Sequence, residues 1–282
     1  MFDTHCHLTF SQFAGRIDDV LFAARMAGVR GVICVGTTSG DCLAAQDLAS
    51  RYPNVWFTAG VHPLHAHEPR DWSMISSVVA HRRCVAWGEL GLDNHYTEPP
   101  AALQRTLLEE QLAFIESHTG SVSGASGPKP IVVHCRDAFD DLLAAFEHAP
   151  FPHDRYVFHC FTGTPDDARR VLDFGAWISF TGVVTFKNAP EVALAAKIVP
   201  ADRLMVETDA PFLSPEPVRS VRPNEPKHVV HVARRLAELR GVEYELLEQQ
   251  LDANAVRFFG VGPGTDDAVP FVLAFRAAHG RA

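Results

Sequence analysis

The amino-acid sequence predicts an α/β protein that folds as a single-domain (β/α)8 TIM barrel. The chain has 282 residues, a length that suits either two ordinary domains or one large barrel. Short apolar, β-branched runs alternate with helical patterns along the chain, and this alternation never breaks into separate blocks. Eight such runs occur, and eight strands alternating with helices favour one barrel over two doubly wound halves.

Strands are predicted where the short apolar runs occur, and several of these runs end in a histidine or an acidic residue. A run of this kind is typical of a strand that is buried on both faces, as in a parallel barrel. The predicted strands cover residues 2–7, 31–36, 55–60, 84–90, 130–134, 155–160, 176–180 and 203–209.

Helices are predicted between these strands from the helical spacing of their apolar residues. Thr164 followed by Pro165 and two aspartates is a typical helix start, with a cap, a first-turn proline and acidic residues. The barrel is predicted to span residues 1–260, with a Gly/Ser-rich surface loop at 120–127 and a C-terminal extension at 261–282. The predicted helices cover residues 18–27, 41–51, 100–117, 138–148, 165–174, 190–198 and 225–240.

Composition and charge narrow the possible functions. With 47% hydrophobic residues the chain can bury a large core, which excludes a disordered protein. The net charge of -9 argues against a broad basic surface that grips nucleic acid. No signal segment and no membrane-spanning run is visible, so we expect a cytoplasmic protein with no membrane contact. No obligatory protein partner is indicated.

The informative residues are histidines and acids at the predicted strand ends. In a strand, side chains two residues apart share a face, so His5 and His7 are predicted to point together toward the barrel mouth. Glu89 ends an otherwise apolar strand, where a buried carboxylate is expensive unless a cation compensates it. In a TIM barrel such side chains meet at the C-terminal face of the strands. The six candidates are His5, His7, Glu89, His134, His159 and Asp209.

Four imidazoles and two carboxylates fit two divalent ions bridged by a carboxylate and a water. Such a pair lowers the pKa of the bridging water from about 15.7 toward neutrality, which is hydrolysis chemistry. The two carboxylates contribute -2 and two divalent ions +4, so the centre would carry about +2 and could hold a phosphodiester without a basic surface. Zinc, manganese and magnesium all remain open.

Eight motifs in order along the chain resemble those of the TatD-type metal-dependent deoxyribonucleases, which belong to the amidohydrolase-like barrels. The resemblance runs from Asp3 to about Gly260. The motifs are Asp3-Thr4-His5-Cys6-His7-Leu8, Gly60-Val61-His62-Pro63, Gly88-Glu89-Leu90-Gly91-Leu92-Asp93, His134-Cys135-Arg136, His159-Cys160-Phe161-Thr162-Gly163, Thr185-Phe186-Lys187-Asn188, Glu207-Thr208-Asp209-Ala210-Pro211 and Arg222-Pro223-Asn224-Glu225-Pro226.

The resemblance implies a 3′–5′ exodeoxyribonuclease that cleaves DNA phosphodiesters with a metal-bridging water as nucleophile. It implies DNA ends, above all single-stranded ones, as the partner and two divalent ions per chain. Asp209 would accept the proton of the attacking water, as a strand-end carboxylate at a metal is suited to do. His62, Arg136 and Lys187 are the candidates for contacts to the substrate phosphate. The resemblance implies His5, His7 and Asp209 on the first ion, Glu89 between both ions, and His134 and His159 on the second.

Residues next to these candidates are expected to support them. Asp93 and Glu207 are predicted to orient the metal-binding side chains, and Asn224 and Glu225 are predicted to hold the loop of Asp209. A second hypothesis is a small-molecule amidohydrolase or phosphoesterase that uses the same binuclear centre. A third is a metal-binding or interaction protein without catalysis. Labelled single-stranded DNA, small phosphoesters and cyclic amides, compared as substrates, would discriminate among these hypotheses.

Overall fold

Eight parallel strands form a barrel in the computed structural model, which describes residues 1–119 and 128–262 of the chain. The predicted (β/α)8 fold is confirmed, with the strands in sequence order around the sheet. The predicted loop at 120–127 and residues 263–282 of the predicted extension lie outside the described residues. The strands are β1 (Phe2–Cys6), β2 (Gly31–Cys34), β3 (Val55–Ala59), β4 (Cys84–Asp93), β5 (Ile131–Arg136), β6 (Tyr156–Phe158), β7 (Trp177–Phe180) and β8 (Leu204–Val206).

The barrel closes between β8 and β1 through a few hydrogen bonds at and beyond the end of β8. The Asp209 amide donates to the His5 carbonyl at 2.9 Å, and the His7 amide donates to the Ala210 carbonyl at 2.7 Å. The Thr4 hydroxyl adds a hydrogen bond to the Val206 carbonyl at 2.9 Å. Closure therefore ties Asp209 to the segment that carries the two N-terminal histidines.

Helices connect consecutive strands, and the described residues contain nine α-helices. Two of them, α3 and α9, were not predicted from the sequence. The predicted start at Thr164 is confirmed, because its side chain and that of Asp167 form a capping box. The helices are α1 (Ile17–Met26), α2 (Ser39–Arg51), α3 (Trp72–Val79), α4 (Ala101–Thr119), α5 (Phe139–Glu147), α6 (Pro165–Phe174), α7 (Pro190–Ile198), α8 (Val229–Arg240) and α9 (Tyr244–Phe259).

The last helix, α9, lies at the N-terminal end of the barrel. The Asn254 side chain donates to the carbonyls of Ala201 and Leu204, just before and at the start of β8. Phe258 and Phe259 pack in one buried cluster with residues from most of the strands. This end of the barrel is therefore filled mainly with apolar groups.

No helix in residues 1–119 or 128–262 combines the length and the apolar content needed to cross a membrane.

Candidate metal centre

The structure brings the six predicted side chains together at the C-terminal end of the strands. His5, Glu89 and His134 lie within β1, β4 and β5, whereas His7 and His159 lie just after β1 and β6. Asp209 lies three residues beyond β8, where the predicted strand 203–209 has already ended. The backbone of Asp209 has a positive φ of 53°, so the chain turns there instead of continuing as a strand. This turn aims its carboxylate back toward β1.

One group of donor atoms surrounds the two N-terminal histidines. The Nε2 atoms of His5 and His7 are 3.3 Å apart. Asp209 Oδ1 lies 3.2 Å from His7 Nε2 and 3.7 Å from His5 Nε2. Glu89 Oε2 lies 3.6 Å from His5 Nε2, and its Oε1 lies 3.8 Å from His7 Nε2. These separations are close to the edge of about 3.3 Å expected between ligands that surround one ion at about 2.0–2.1 Å.

A second group of donor atoms shares Glu89 with the first. His159 Nε2 lies 2.7 Å from Glu89 Oε2 and 3.3 Å from His134 Nδ1. His134 Nδ1 is 3.7 Å from Glu89 Oε2. His62 joins this group, because its Nε2 is 3.1 Å from His134 Nδ1 and 3.8 Å from Glu89 Oε1. Glu89 therefore lies between the two groups, where a bridging carboxylate would be needed.

Each of three imidazoles has its second nitrogen near an oxygen acceptor, and this orients the first nitrogen toward the centre. His134 Nε2 lies 3.1 Å from Asp93 Oδ2, and His159 Nδ1 lies 3.4 Å from Glu207 Oε1. His7 Nδ1 lies 3.3 Å from the Val35 carbonyl. Metal-binding histidines are commonly oriented in this way. Asp93 thus lies where its predicted orienting role requires it, whereas Glu207 lies near His159 Nδ1 without a hydrogen bond of normal geometry.

The donor set fits a cation on grounds of burial as well as distance. Glu89 is only 2% exposed, and its Oε2 atom makes no hydrogen bond of normal geometry with the described residues. A buried carboxylate oxygen in that state is costly unless a cation neutralises it. Three overlapping groups of side chains could each hold a metal ion. They are His5 with His159 and Asp209, His5 with His7 and Glu89, and His62 with Glu89 and His134.

Burial and the neighbouring charges together shift the pKa values of these groups, some upward and some downward. Burial lowers the pKa of His5 and His62 well below the ordinary value, and the neighbouring imidazoles add to this. Burial also opposes ionisation of Glu89, but the charges of the surrounding imidazoles outweigh it and hold its pKa well below the usual range. For His159, the carboxylates of Glu89 and Glu207 outweigh burial and raise the pKa. A divalent cation that binds here would displace the His159 proton.

The loop that carries Asp209 is held by buried hydrogen bonds. The Asn224 side chain donates to the carbonyls of Thr208 and Phe212, at 3.0 and 2.6 Å. Asp3 accepts from the Thr208 amide at 2.9 Å and from its hydroxyl at 2.6 Å. The predicted scaffolding role of Asn224 is therefore confirmed. The Glu225 carboxylate instead pairs with Arg16 and Lys227, at 2.9 and 2.6 Å.

Behind Asn224, a buried histidine makes this scaffold sensitive to acid. His228 is 5% exposed, its Nδ1 lies 2.9 Å from Asn224 Oδ1, and burial lowers its pKa to about 4. The folded protein keeps His228 neutral while the unfolded chain protonates below its ordinary pKa of 6.5. The free energy of unfolding is therefore expected to fall as the pH drops from about 6.5 to about 4, by up to roughly 3 kcal/mol.

Urea unfolding at a series of pH values, for wild type and His228→Asn, measures this contribution. Asparagine keeps a donor near the Nδ1 position but cannot be protonated, so the variant is expected to lose less stability toward low pH. Histidines remote from residue 228 titrate equally in both proteins and cancel in the difference. Parallel pH profiles for the two proteins would contradict the assignment.

The three predicted substrate residues lie in different settings. His62 is placed among the donor atoms and could also act as a ligand. Arg136 lies two residues after His134 in β5, and its guanidinium is 5.1 Å above the ring of Tyr96. Lys187 is exposed beyond β7, and no described contact joins it to the cluster. The sequence did not single out Tyr96, which has no charge or motif to mark it; only its contact with Arg136 reveals it.

Comparison with known proteins agrees with this centre. The sequence model of the family "TatD related DNase" matches residues 2–260. The chain is 39% identical over 262 residues to the uncharacterized metal-dependent hydrolase YcfH of Escherichia coli strain K12, covering 92% of this chain and 95% of YcfH. It is 35% identical over 272 residues to the 3'-5' ssDNA/RNA exonuclease TatD of the same strain, covering 93% and 99%.

Solved structures give the same result. YJJV, a TatD homolog from E. coli K12, superposes with a TM-score of 0.84 at 28% identity, covering 93% of this chain and 98% of YJJV. The match of sequence model and relatives over nearly the whole chain shows that this protein belongs to the TatD family of metal-dependent hydrolases, enzymes that act on ester bonds.

Proposed function

We propose that this protein is a 3′–5′ exonuclease that removes nucleotides from single-stranded DNA ends with two divalent ions per chain. The observation that carries the proposal is the pair of donor groups that share the buried Glu89. Relatives named as 3'-5' ssDNA/RNA exonucleases, at 35–36% identity, support the choice of a nucleic acid substrate. Under this proposal His5, His7 and Asp209 hold the first ion, and His134 and His159 hold the second.

The side chains of the protein would each have a separate role in the reaction. Bound divalent ions would supply Lewis acidity and bring the pKa of a water near neutrality. Asp209 is the most exposed acid of the cluster, with 14% of its side chain accessible, and would accept the proton of the attacking water at a carboxylate oxygen. Arg136 would pair with a substrate phosphate next to His134, since its guanidinium donates in a planar fork. Lys187 and His62 are the further candidates for phosphate contacts.

A substrate panel tests this proposal. Strands labelled at the 5′ end should shorten one nucleotide at a time, single strands should react faster than blunt duplexes, and EDTA should abolish the reaction. Adding back zinc, manganese and magnesium singly should identify the ion that restores the most activity. RNA strands, small phosphoesters and cyclic amides belong in the same panel.

One result of this panel would favour the second hypothesis, a small-molecule amidohydrolase or phosphoesterase. Turnover of cyclic amides or small phosphoesters, with no shortening of any strand, would identify a small-molecule hydrolase that uses the same centre. Activity that persists fully after chelation and dialysis would contradict both hypotheses.

A further inference from the structure

The rim of the barrel mouth carries two phenylalanines beside the donor cluster. The ring of Phe10 lies nearly parallel to the His7 imidazole, with centroids 4.7 Å apart and an angle of 19° between the planes. The ring of Phe212 lies 6.1 Å from Phe10 and 6.3 Å from His7, and stands across both at 76° and 64°. His7 is the side chain between these rings and the donor cluster, because its Nε2 is 3.2 Å from Asp209 Oδ1.

The ring of Phe212 is exposed to water at the edge of the donor cluster. It is 46% exposed, whereas phenylalanines of the core such as Phe57 and Phe158 are fully buried. Exposed apolar surface gives up the stabilisation that burial provides, so stability alone does not favour an aromatic ring at this position. Phe212 differs from a scattered surface residue in its placement, because it lies against Phe10 and His7 at the edge of the donor cluster, where an exposed ring can contact a ligand.

The main chain holds Phe212 in a defined position relative to Asp209. The Phe212 amide donates to the Asp209 carbonyl at 2.9 Å. The Phe212 carbonyl accepts from the buried Asn224 side chain at 2.6 Å, and the Asn224 amide donates to the Pro211 carbonyl at 2.9 Å. The same asparagine thus positions the proposed metal ligand and the exposed ring, which lowers the entropy lost when a ligand binds the ring.

A nucleobase is the occupant that fits this ring. A planar base can stack on an exposed aromatic face, and proteins hold unpaired bases in this way with little sequence preference. A phosphodiester at the donor cluster would bring an adjacent base within reach of Phe212. The net charge of -9 argues against a broad basic surface along the backbone of the strand, and stacking would supply binding that depends little on salt.

We propose that Phe212, supported by Phe10, stacks on the base next to the scissile phosphodiester and selects strands with unpaired ends. This inference rests on the proposed exonuclease activity. A base in a duplex is paired and stacked on its neighbours, so the ring can receive it only after the end has frayed. The aromatic rim would thereby discriminate single strands from blunt duplex ends.

Removal of the ring and removal of the base together form a double-mutant cycle. Two strands are compared, one with an ordinary 3′-terminal nucleotide and one with an abasic analogue at that position. In wild type, kcat/KM is expected to be roughly 5- to 100-fold higher for the base-bearing strand. Phe212→Leu keeps apolar volume but lacks the ring, so it is expected to lose this preference, while Phe212→Tyr should retain it.

A matched control and a binding measurement complete the design. Phe22 on the outer face of α1 is 45% exposed, so Phe22→Leu makes the same change at equal exposure away from the mouth. It should leave the preference unchanged. Fluorescence anisotropy with strands that carry a non-hydrolysable terminal linkage should show the same loss of binding for Phe212→Leu, independently of turnover.

The outcomes separate this inference from the proposed function. If wild type shortens strands but shows no preference for the terminal base, or if Phe212→Leu weakens both strands equally, the stacking role is overturned while the exonuclease remains. If wild type shortens no strand at all, the proposed function fails and the stacking role with it.

Discussion

Glu89→Gln is expected to lower metal-dependent hydrolysis by about 1,000-fold or more, while the barrel stays folded. The carboxylate of Glu89 lies within 3.8 Å of a nitrogen of each of five imidazoles and joins the two donor groups. Glutamine has nearly the same shape but no charge, so binding of divalent ions should weaken sharply. Loss of several kcal/mol of charge stabilisation corresponds to a rate effect of this size.

Three measurements check this expectation. They are the metal content by mass spectrometry, thermal unfolding, and the rate of hydrolysis of the strand that wild type cleaves fastest. Glu147→Gln, at the exposed C-terminal end of α5, makes the same chemical change at the end of a helix that faces away from the mouth and serves as control. Full activity with full metal content in Glu89→Gln would contradict a centre built on this carboxylate.

Gly91→Ala is expected to destabilise the protein by about 3 kcal/mol or more and to displace His134. Gly91 has a φ of 151° and is paired with His134 between β4 and β5. A Cβ atom at this position would lie 1.9 Å from the His134 carbonyl oxygen, and a backbone atom cannot rotate away. The overlap and the unfavourable φ act together, and single substitutions of this kind give the largest stability losses.

Urea unfolding and metal content of Gly91→Ala measure this expectation, with Gly40→Ala as the matched control. Gly40 lies in α2, and a Cβ atom there would meet nothing within 4 Å. Alanine favours a helix over glycine, so Gly40→Ala should be neutral or more stable by up to about 1 kcal/mol. Equal stability of both variants would contradict this expectation, because it would show that β5 can move away from β4 without a loss of stability.

The sequence predicted the strands well because a barrel strand is buried on both faces and forms a short continuous apolar run. In β4 every residue is buried, and the apolar first part from Cys84 to Trp87 marks the strand in the sequence, although the strand continues to Asp93, beyond its predicted end at residue 90. The predicted end of β8 was less accurate, since Asp209 belongs to a turn with positive φ. The prediction missed α3 although Asp71 caps its first turn, and it missed α9, whose N-cap residue Glu243 makes no side-chain cap hydrogen bond.

The donor residues were predictable for a related reason. In a parallel barrel all strands end at one face, so polar residues that terminate apolar strands must meet there. This argument located His5, Glu89 and His134 without knowledge of any distance. The argument applies less well to residues on loops, because the position of a residue on a loop does not determine where its side chain points. His62 is such a residue, and its Nε2 atom lies among the donors.

By itself, the sequence determined the eight-stranded barrel and the six donor side chains at its mouth, since both follow from the alternation of apolar runs and from where each run ends. Only the tertiary structure decided how these donors divide around Glu89, how Asn224 holds the loop of Asp209, and that Phe10 and Phe212 form a rim beside His7. These contacts join residues up to about 200 positions apart, and their geometry depends on barrel closure and loop conformation, which no local pattern of residues encodes.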